Sequence, residues 1–163
     1  MSETLAIREK HDGALDERSS VRLWLRLFTC TMAIEKHVRR RFAERGATLP
    51  RFDVLAALDR NPGGMSMGAL SRALLVSNGN VTQLVRKLAA DGLVRMTTPP
   101  ADRRASIARL TPRGRTEFAA LAAAHHDWID TLVAGMDGEA RETLYHMLGE
   151  LKQAIAKGRA VES

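Results

Sequence analysis

Between Ser66 and Gly114 two short helical patterns are followed by a basic, turn-rich hairpin, and this succession constrains the fold more than any other part of the chain. Met67, Leu70 and Leu74 repeat at helical spacing behind Ser66, a residue type that caps a helix start by accepting a backbone N–H bond. Ser77 supplies a second cap, and Val81, Leu84, Val85 and Leu88 then form one apolar stripe. Asn78, Asn80, Thr82, Gln83 and Arg86 are left on the other side of that helix. In a major groove Asn and Gln suit adenine, and Arg suits guanine. Two helices joined by a tight turn, the second polar outward, predict a helix-turn-helix whose second helix reads bases from Ser77, Asn78, Asn80, Thr82, Gln83 and Arg86.

Gly92 is placed to close that helix, and Leu93-Val94-Arg95-Met96 to begin a strand. Thr97-Thr98-Pro99-Pro100 is a stiff, turn-rich stretch, Asp102-Arg103-Arg104 follows, and Ser106-Ile107-Ala108-Arg109-Leu110 returns as a strand with Ile107 and Leu110 as its expected anchors. The hairpin leaves through Leu110-Thr111-Pro112-Arg113-Gly114. From Ser77 to Arg115 eight basic residues face only Asp91 and Asp102, an excess of six that equals the net charge of the whole chain, +6. A cationic excess confined to one segment is the footprint of a phosphate-binding surface.

The helix-turn-helix, the Asp102-Arg103-Arg104 tip and the Leu-Thr-Pro-Arg-Gly exit together resemble the MarR (multiple antibiotic resistance regulator) family of bacterial transcription factors. The resemblance implies a mainly α fold: a winged helix-turn-helix with flanking long helices that form a dimerisation region. It assigns residues 49–111 to the DNA-binding part and 1–48 with 112–163 to the helical part of one integrated domain. It also implies a homodimer on a pseudo-palindromic double-stranded operator, with half-sites about 10 bp apart. Arg103 and Arg104 take the minor-groove role, where a narrow groove attracts arginine, and Asp102 braces an arginine or caps the turn. The family's regulators are often repressors released by a small molecule, an aromatic acid or a CoA thioester among them. Trp24, His37, Arg40 and Trp128 are the expected effector-binding residues, in a cavity between the dimer helices and the DNA-binding part. The pattern is departed from at Gly79, which costs about 1 kcal/mol of helix propensity in the first turn of the reading helix, or there lets backbone approach phosphate.

The rest of the chain fits this plan. Val21, Trp24, Leu25, Phe28, Met32, Val38 and Phe42 mark a long helix from about Asp16 to Glu44, with Trp24 and Phe28 expected in the core and Gly46 at the end. Pro50 opens a short helix that carries Phe52, Val54, Leu55 and Leu58 and stops at Asn61-Pro62-Gly63-Gly64. Pro112 starts a helix to about Met136, and a last helix shows Leu144, Met147, Leu148, Leu151 and Ile155 on one side.

Composition narrows the function classes. At 163 residues, 45% hydrophobic and 4% aromatic, the chain suits one helical core, and a pI near 10.2 suits a polyanionic partner. No run is long enough to span a membrane, and the start lacks a signal-peptide core, so the expected location is the cytoplasm. Cys30 stands alone, which excludes an internal disulfide, and is expected to be small packing; a redox-sensing repressor using Cys30 is the alternative. His125 and His126 point about 100° apart on a helix and do not converge on one ion, so no metal and no cofactor is expected. No phosphate loop, nucleophile elbow or paired carboxylates suggest an enzyme. The other competing reading is an architectural or interaction module that contacts phosphate alone and has no sequence preference.

Overall fold

The computed structural model describes residues 19–98 and 106–161, in two compact units that divide after His126. The first unit contains α1 (Ser19–Glu44), α2 (Leu49–Asp59), β1 (Met65–Ser66), α3 (Met67–Leu74), α4 (Asn78–Ala90), β2 (Val94–Thr97), β3 (Ile107–Leu110) and the start of α5 (Pro112–Val133). The second holds the end of α5 and α6 (Gly138–Val161). The architecture is mainly α with a small antiparallel sheet.

Local chemistry sets the boundaries. Ser66 Oγ accepts the Ala69 N–H at 3.2 Å, and Ser77 Oγ accepts the Asn80 N–H at 3.4 Å, so both expected caps form. Pro50 lies in the first turn of α2, where its missing N–H has no intrahelical partner to lose. α4 ends at Gly92, whose φ of +74° lets the Leu93 N–H return to the Leu88 carbonyl at 2.9 Å. Asp137 Oδ1 accepts the Ala140 N–H at 2.7 Å and opens α6.

The three strands run in the order β1-β3-β2, with β3 central. Val94 pairs with Leu110, Met96 with Ala108, and Met65 with Ala108 from the other side. β1 is two residues long and becomes a strand only because β3 lies beside it. Ala108 and Leu110 point into the core, while Ile107 and Arg109 take the opposite face. Ile107 and Leu110, three apart, cannot share a face of a period-two strand, so the inward partner of Leu110 is Ala108. The core joins Val54, Leu55 and Leu58 of α2, Leu70 of α3, Val81, Val85 and Leu88 of α4, and Leu93, Val94, Ala108 and Leu110 of the hairpin.

Along α1 only Leu25, Val38 and Phe42 are buried. Trp24 is 59% exposed, and Phe28 and Met32 are exposed too, so of the expected stripe before Val38 only Leu25 is buried within this chain. Trp24 and Phe28 instead stack on each other with centroids 5.8 Å apart. Of the described side chains of α6, from Gly138 to Gly158, none is buried.

Candidate nucleic-acid interface

The reading helix is held by its buried side. Val81, Val85 and Leu88 are 1% exposed or less, and Leu84 is half-buried. This anchoring leaves Asn78, Gly79, Asn80, Gln83, Arg86 and Lys87 exposed along the remaining face. Neither Arg86 nor Lys87 pairs with a carboxylate among the described residues. Asp91, at the far end of the helix, is tied to Arg51 at 2.7 Å, which moderates its repulsion of an approaching phosphate.

Not every expected reader is equally placed. Ser77 is exposed and uses its oxygen as the cap. Thr82 is half-buried, and its hydroxyl donates back to the Asn78 carbonyl at 2.8 Å, so toward a base it has only acceptor capacity to offer. Gly79 is open: a Cβ added there would meet nothing within 4 Å, which agrees with a site where a ligand backbone can come close. Asp102, Arg103 and Arg104 lie outside the described residues.

The hairpin stem adds two arginines that the motif reading did not single out. Arg95 and Arg109 stand directly opposite each other on the outer face. Arg95 is exposed, and Arg109 donates from Nη1 to Thr97 Oγ1 at 2.9 Å. Like charges opposed on one face destabilise a ladder unless an anion lies between them, so this pair is suited to phosphate. Strand alternation was the signal that could have found them: the odd positions of 94–97 and 107–110 all face out.

The exit motif has a mechanical explanation. Thr111 Oγ1 donates to the Gly92 carbonyl at 2.7 Å and accepts the Gly114 N–H at 2.9 Å, capping α5 while fastening it to the end of α4. A Cβ on Gly114 would sit 2.0 Å from the Leu93 carbonyl oxygen, so only glycine admits this contact. The reading helix, the hairpin and α5 are thereby locked at one joint.

Next to it lies an aromatic joint in which Phe52 packs on Phe42, Phe118 and His125 with centroids 4.9, 5.6 and 4.9 Å away. His125 also stacks on Phe42 at 5.9 Å. Burial, and secondarily the neighbouring His126, hold the His125 imidazole below its ordinary pKa. Burial also pushes the Asp53 carboxyl up, against the attraction of Arg39 and Arg60.

His37 is half-buried, and Arg40, one turn later, is exposed with its Nε 3.8 Å from Glu44. Trp24 is about 20 Å from His37 along α1 at 1.5 Å per residue, so the helix does not bring those two together. Trp128 is 5% exposed and belongs to the second unit. Cys30 is exposed rather than packed, because its side of α1 is uncovered in the single chain. Among the described residues no group of three or more His, Cys, Asp or Glu could hold a metal ion, and no helix is long and apolar enough to cross a membrane.

The sequence model of the MarR family matches residues 45–105, a span that opens just after α1 and takes in α2, β1, α3, α4 and β2. The transcriptional activatory protein BadR of Rhodopseudomonas palustris is 35% identical over 115 residues, covering 68% of this chain and 66% of BadR, just under two thirds of that relative's length. The crystal structure of a MarR family transcriptional regulator from Silicibacter pomeroyi superposes with a TM-score of 0.71 at 32% identity, over 83% of this chain and 94% of that one. The regulator BldR from Sulfolobus solfataricus shares the fold, with a TM-score of 0.73 at 22% identity over 83% and 96% of the two chains.

Proposed function

The chain belongs to the MarR family of transcriptional regulators, and from that premise we propose that it acts as a homodimer that reads a pseudo-palindromic operator and leaves it when a small molecule binds. The observation that carries the reading is the two-sidedness of α4: Val81, Val85 and Leu88 are buried, while Asn78, Asn80, Gln83 and Arg86 are exposed. Base-edge hydrogen bonds from those four residues, with Ser77 and Thr82 beside them, supply sequence preference. Arg95 and Arg109 on the stem, with Arg103, Arg104 and the bracing Asp102 at the tip, supply phosphate and minor-groove contact.

The division of labour puts residues 49–111 on DNA and residues 1–48 and 112–163 in the dimer. Apolar side chains left exposed on α1 (Leu23, Trp24, Met32) and on α6 (Leu144, Met147, Ile155) support a second copy as their cover. Two α4 helices then meet half-sites about 10 bp apart. An aromatic acid or its CoA thioester is the effector class we assign, with His37 and Arg40 on one face of α1 for its anionic end and Trp24 and Trp128 as separate positions to test. Release requires the effector to bind better to a dimer whose reading helices are wrongly spaced, since equal affinity for both states shifts nothing.

Repression is the direction we assign, exerted where the operator overlaps a promoter. Activation is the second reading, favoured by the name that BadR carries. The exposure of Cys30 favours oxidation as an alternative trigger, and a peroxide response of DNA binding that disappears in Cys30→Ser would establish it.

The deciding experiment is a fluorescence-anisotropy titration against the DNA upstream of the protein's own gene and against a scrambled duplex. Preference by about a thousandfold or more supports the regulator. Equal, steeply salt-dependent binding to both would favour the architectural module instead. Arg103→Ala and Arg104→Ala should each flatten the salt slope without altering dimerisation.

A further inference from the structure

Three helices of the first unit end in the same double-bonded turn. At the end of α1 the Gly46 and Ala47 N–H groups return to the Ala43 and Phe42 carbonyls at 3.0 and 2.9 Å. At the end of α4 Gly92 and Leu93 return to Ala89 and Leu88 at 3.0 and 2.9 Å. At the end of α3 Leu75 and Val76 return to Arg72 and Ser71 at 3.4 and 3.2 Å. This turn needs one residue in the left-handed region, which glycine enters without strain. The first two turns have glycine there, and the third has Leu75 at φ +56°, the one non-glycine residue with positive φ among those described.

Leucine gains nothing inside the chain in return. Its side chain is 89% exposed, more than any other large hydrophobic described. The turn that imposes the strained backbone is secured by a further bond, from Ser71 Oγ to the Val76 carbonyl at 2.5 Å, so the leucine cannot relax by opening it. A side chain that strains the backbone and buries nothing in its own fold points to a use outside it.

Its position indicates what that use is. Leu75 precedes the Ser77 cap by two residues, so its Cα lies within about 11 Å of that of Asn78, at the edge of the reading face. The stretch of sequence that contains it is cationic: no acidic residue occurs between Asp59 and Asp91, while Arg60, Arg72, Arg86 and Lys87 do. Such a rim suits DNA better than an apolar protein partner. The apolar feature that base edges present in the major groove is the thymine 5-methyl group.

We propose that Leu75 reads a thymine, its isobutyl group packing on the 5-methyl within about three base pairs of those contacted by Asn78 and Asn80, at 3.4 Å per base-pair step. The proposal rests on the operator-reading function and adds a base to what α4 reads. It is tested by anisotropy with operator duplexes in which each thymine of a half-site is replaced singly by deoxyuridine, which removes only the methyl. One replacement should weaken the wild-type protein about fourfold, the equivalent of one buried methyl, and should leave Leu75→Ala unaffected. Leu75→Ala should bind the all-thymine operator correspondingly more weakly. Leu75→Gly should melt no lower than wild type and be equally blind to the methyl. Indifference of the wild type to every replacement, or sensitivity that persists in Leu75→Ala, overturns the proposal while the operator preference stands. A Leu75→Gly protein that melts lower overturns the claim that leucine is strained there. If the wild type does not prefer its operator to the scrambled duplex, the regulator function and the thymine contact fall together.

Discussion

The DNA-facing lobe and helix α6 contain the same residue types at the same helical spacing and dispose of them differently. Leu55, Leu58, Leu70 and Leu88 are 1% exposed or less, whereas Leu144 and Leu148 of α6 are 42% and 40% exposed and Met147 is 61% exposed. Apolar periodicity therefore tells which face of a helix is to be covered, and not by what. The lobe covers its stripes within one chain because α2, α3, α4 and the hairpin arrive from several directions and close around one another. α6 presents a stripe as regular as theirs without such a closure in its own unit. Under the proposed dimer, the lobe sets what one α4 can read and α6 helps set how far apart two of them stand.

The comparison can be broken at its weaker side with the largest effect. Leu148→Glu combined with Ile155→Glu should yield a monomer by analytical ultracentrifugation and reduce operator affinity by about 10²–10⁴-fold, the avidity of two linked half-sites. Helix content by circular dichroism should be retained. Variants that remain dimeric would assign the exposed stripe of α6 to something other than a second copy.

On the lobe side, Leu88→Ala removes a fully buried side chain below the reading helix and should cost about 2–5 kcal/mol in chemical denaturation. If the stability change fell below about 1 kcal/mol, the lobe would not be the self-sufficient core described here. Gln83→Ala, on the exposed face of the same helix, should leave that denaturation midpoint in place and lose about 1–3 kcal/mol of discrimination at particular base pairs. A uniform loss across all sequences would make Gln83 a backbone contact.

The smallest effect concerns the aromatic joint. Since the folded-state pKa of His125 lies below its ordinary value, the neutral ring contributes stability above that ordinary value, and the contribution is lost as the pH falls through the folded-state pKa. His125→Phe keeps the stack on Phe42 and Phe52 and has no proton to accept. Its melting temperature should fall less than that of the wild type between about pH 7 and pH 5. Identical pH profiles would exclude the joint as the source of acid sensitivity.

Much of the lobe was legible from the residues. Ser66 and Ser77 cap α3 and α4 as expected, Gly46 and Gly92 end α1 and α4, and the stripe of Val81, Val85 and Leu88 is buried while Asn78, Asn80, Gln83 and Arg86 face out. Other features escaped the reading for identifiable reasons. β1 has no strand pattern of its own, being two residues paired to a strand more than forty positions later. Ile107 was the bulkier candidate anchor, yet the register with Val94 and Met96 turns Ala108 inward. Trp24 and Phe28 were expected in the core because they fall on the apolar stripe of α1, and a stripe does not say what covers it. Leu75 shows no local sign that it occupies a glycine position.

The sequence by itself determined the caps, the helix ends, the amphipathic faces and the concentration of charge in one segment. These depend on residues within four or five positions of each other, or on composition, and both can be read along a line. Tertiary structure alone decided which stripes find cover inside the chain, that Arg95 and Arg109 stand opposed, and that Gly114 must admit the Leu93 carbonyl. Each depends on where distant segments meet and how closely their atoms approach, and neither periodicity nor propensity encodes that distance.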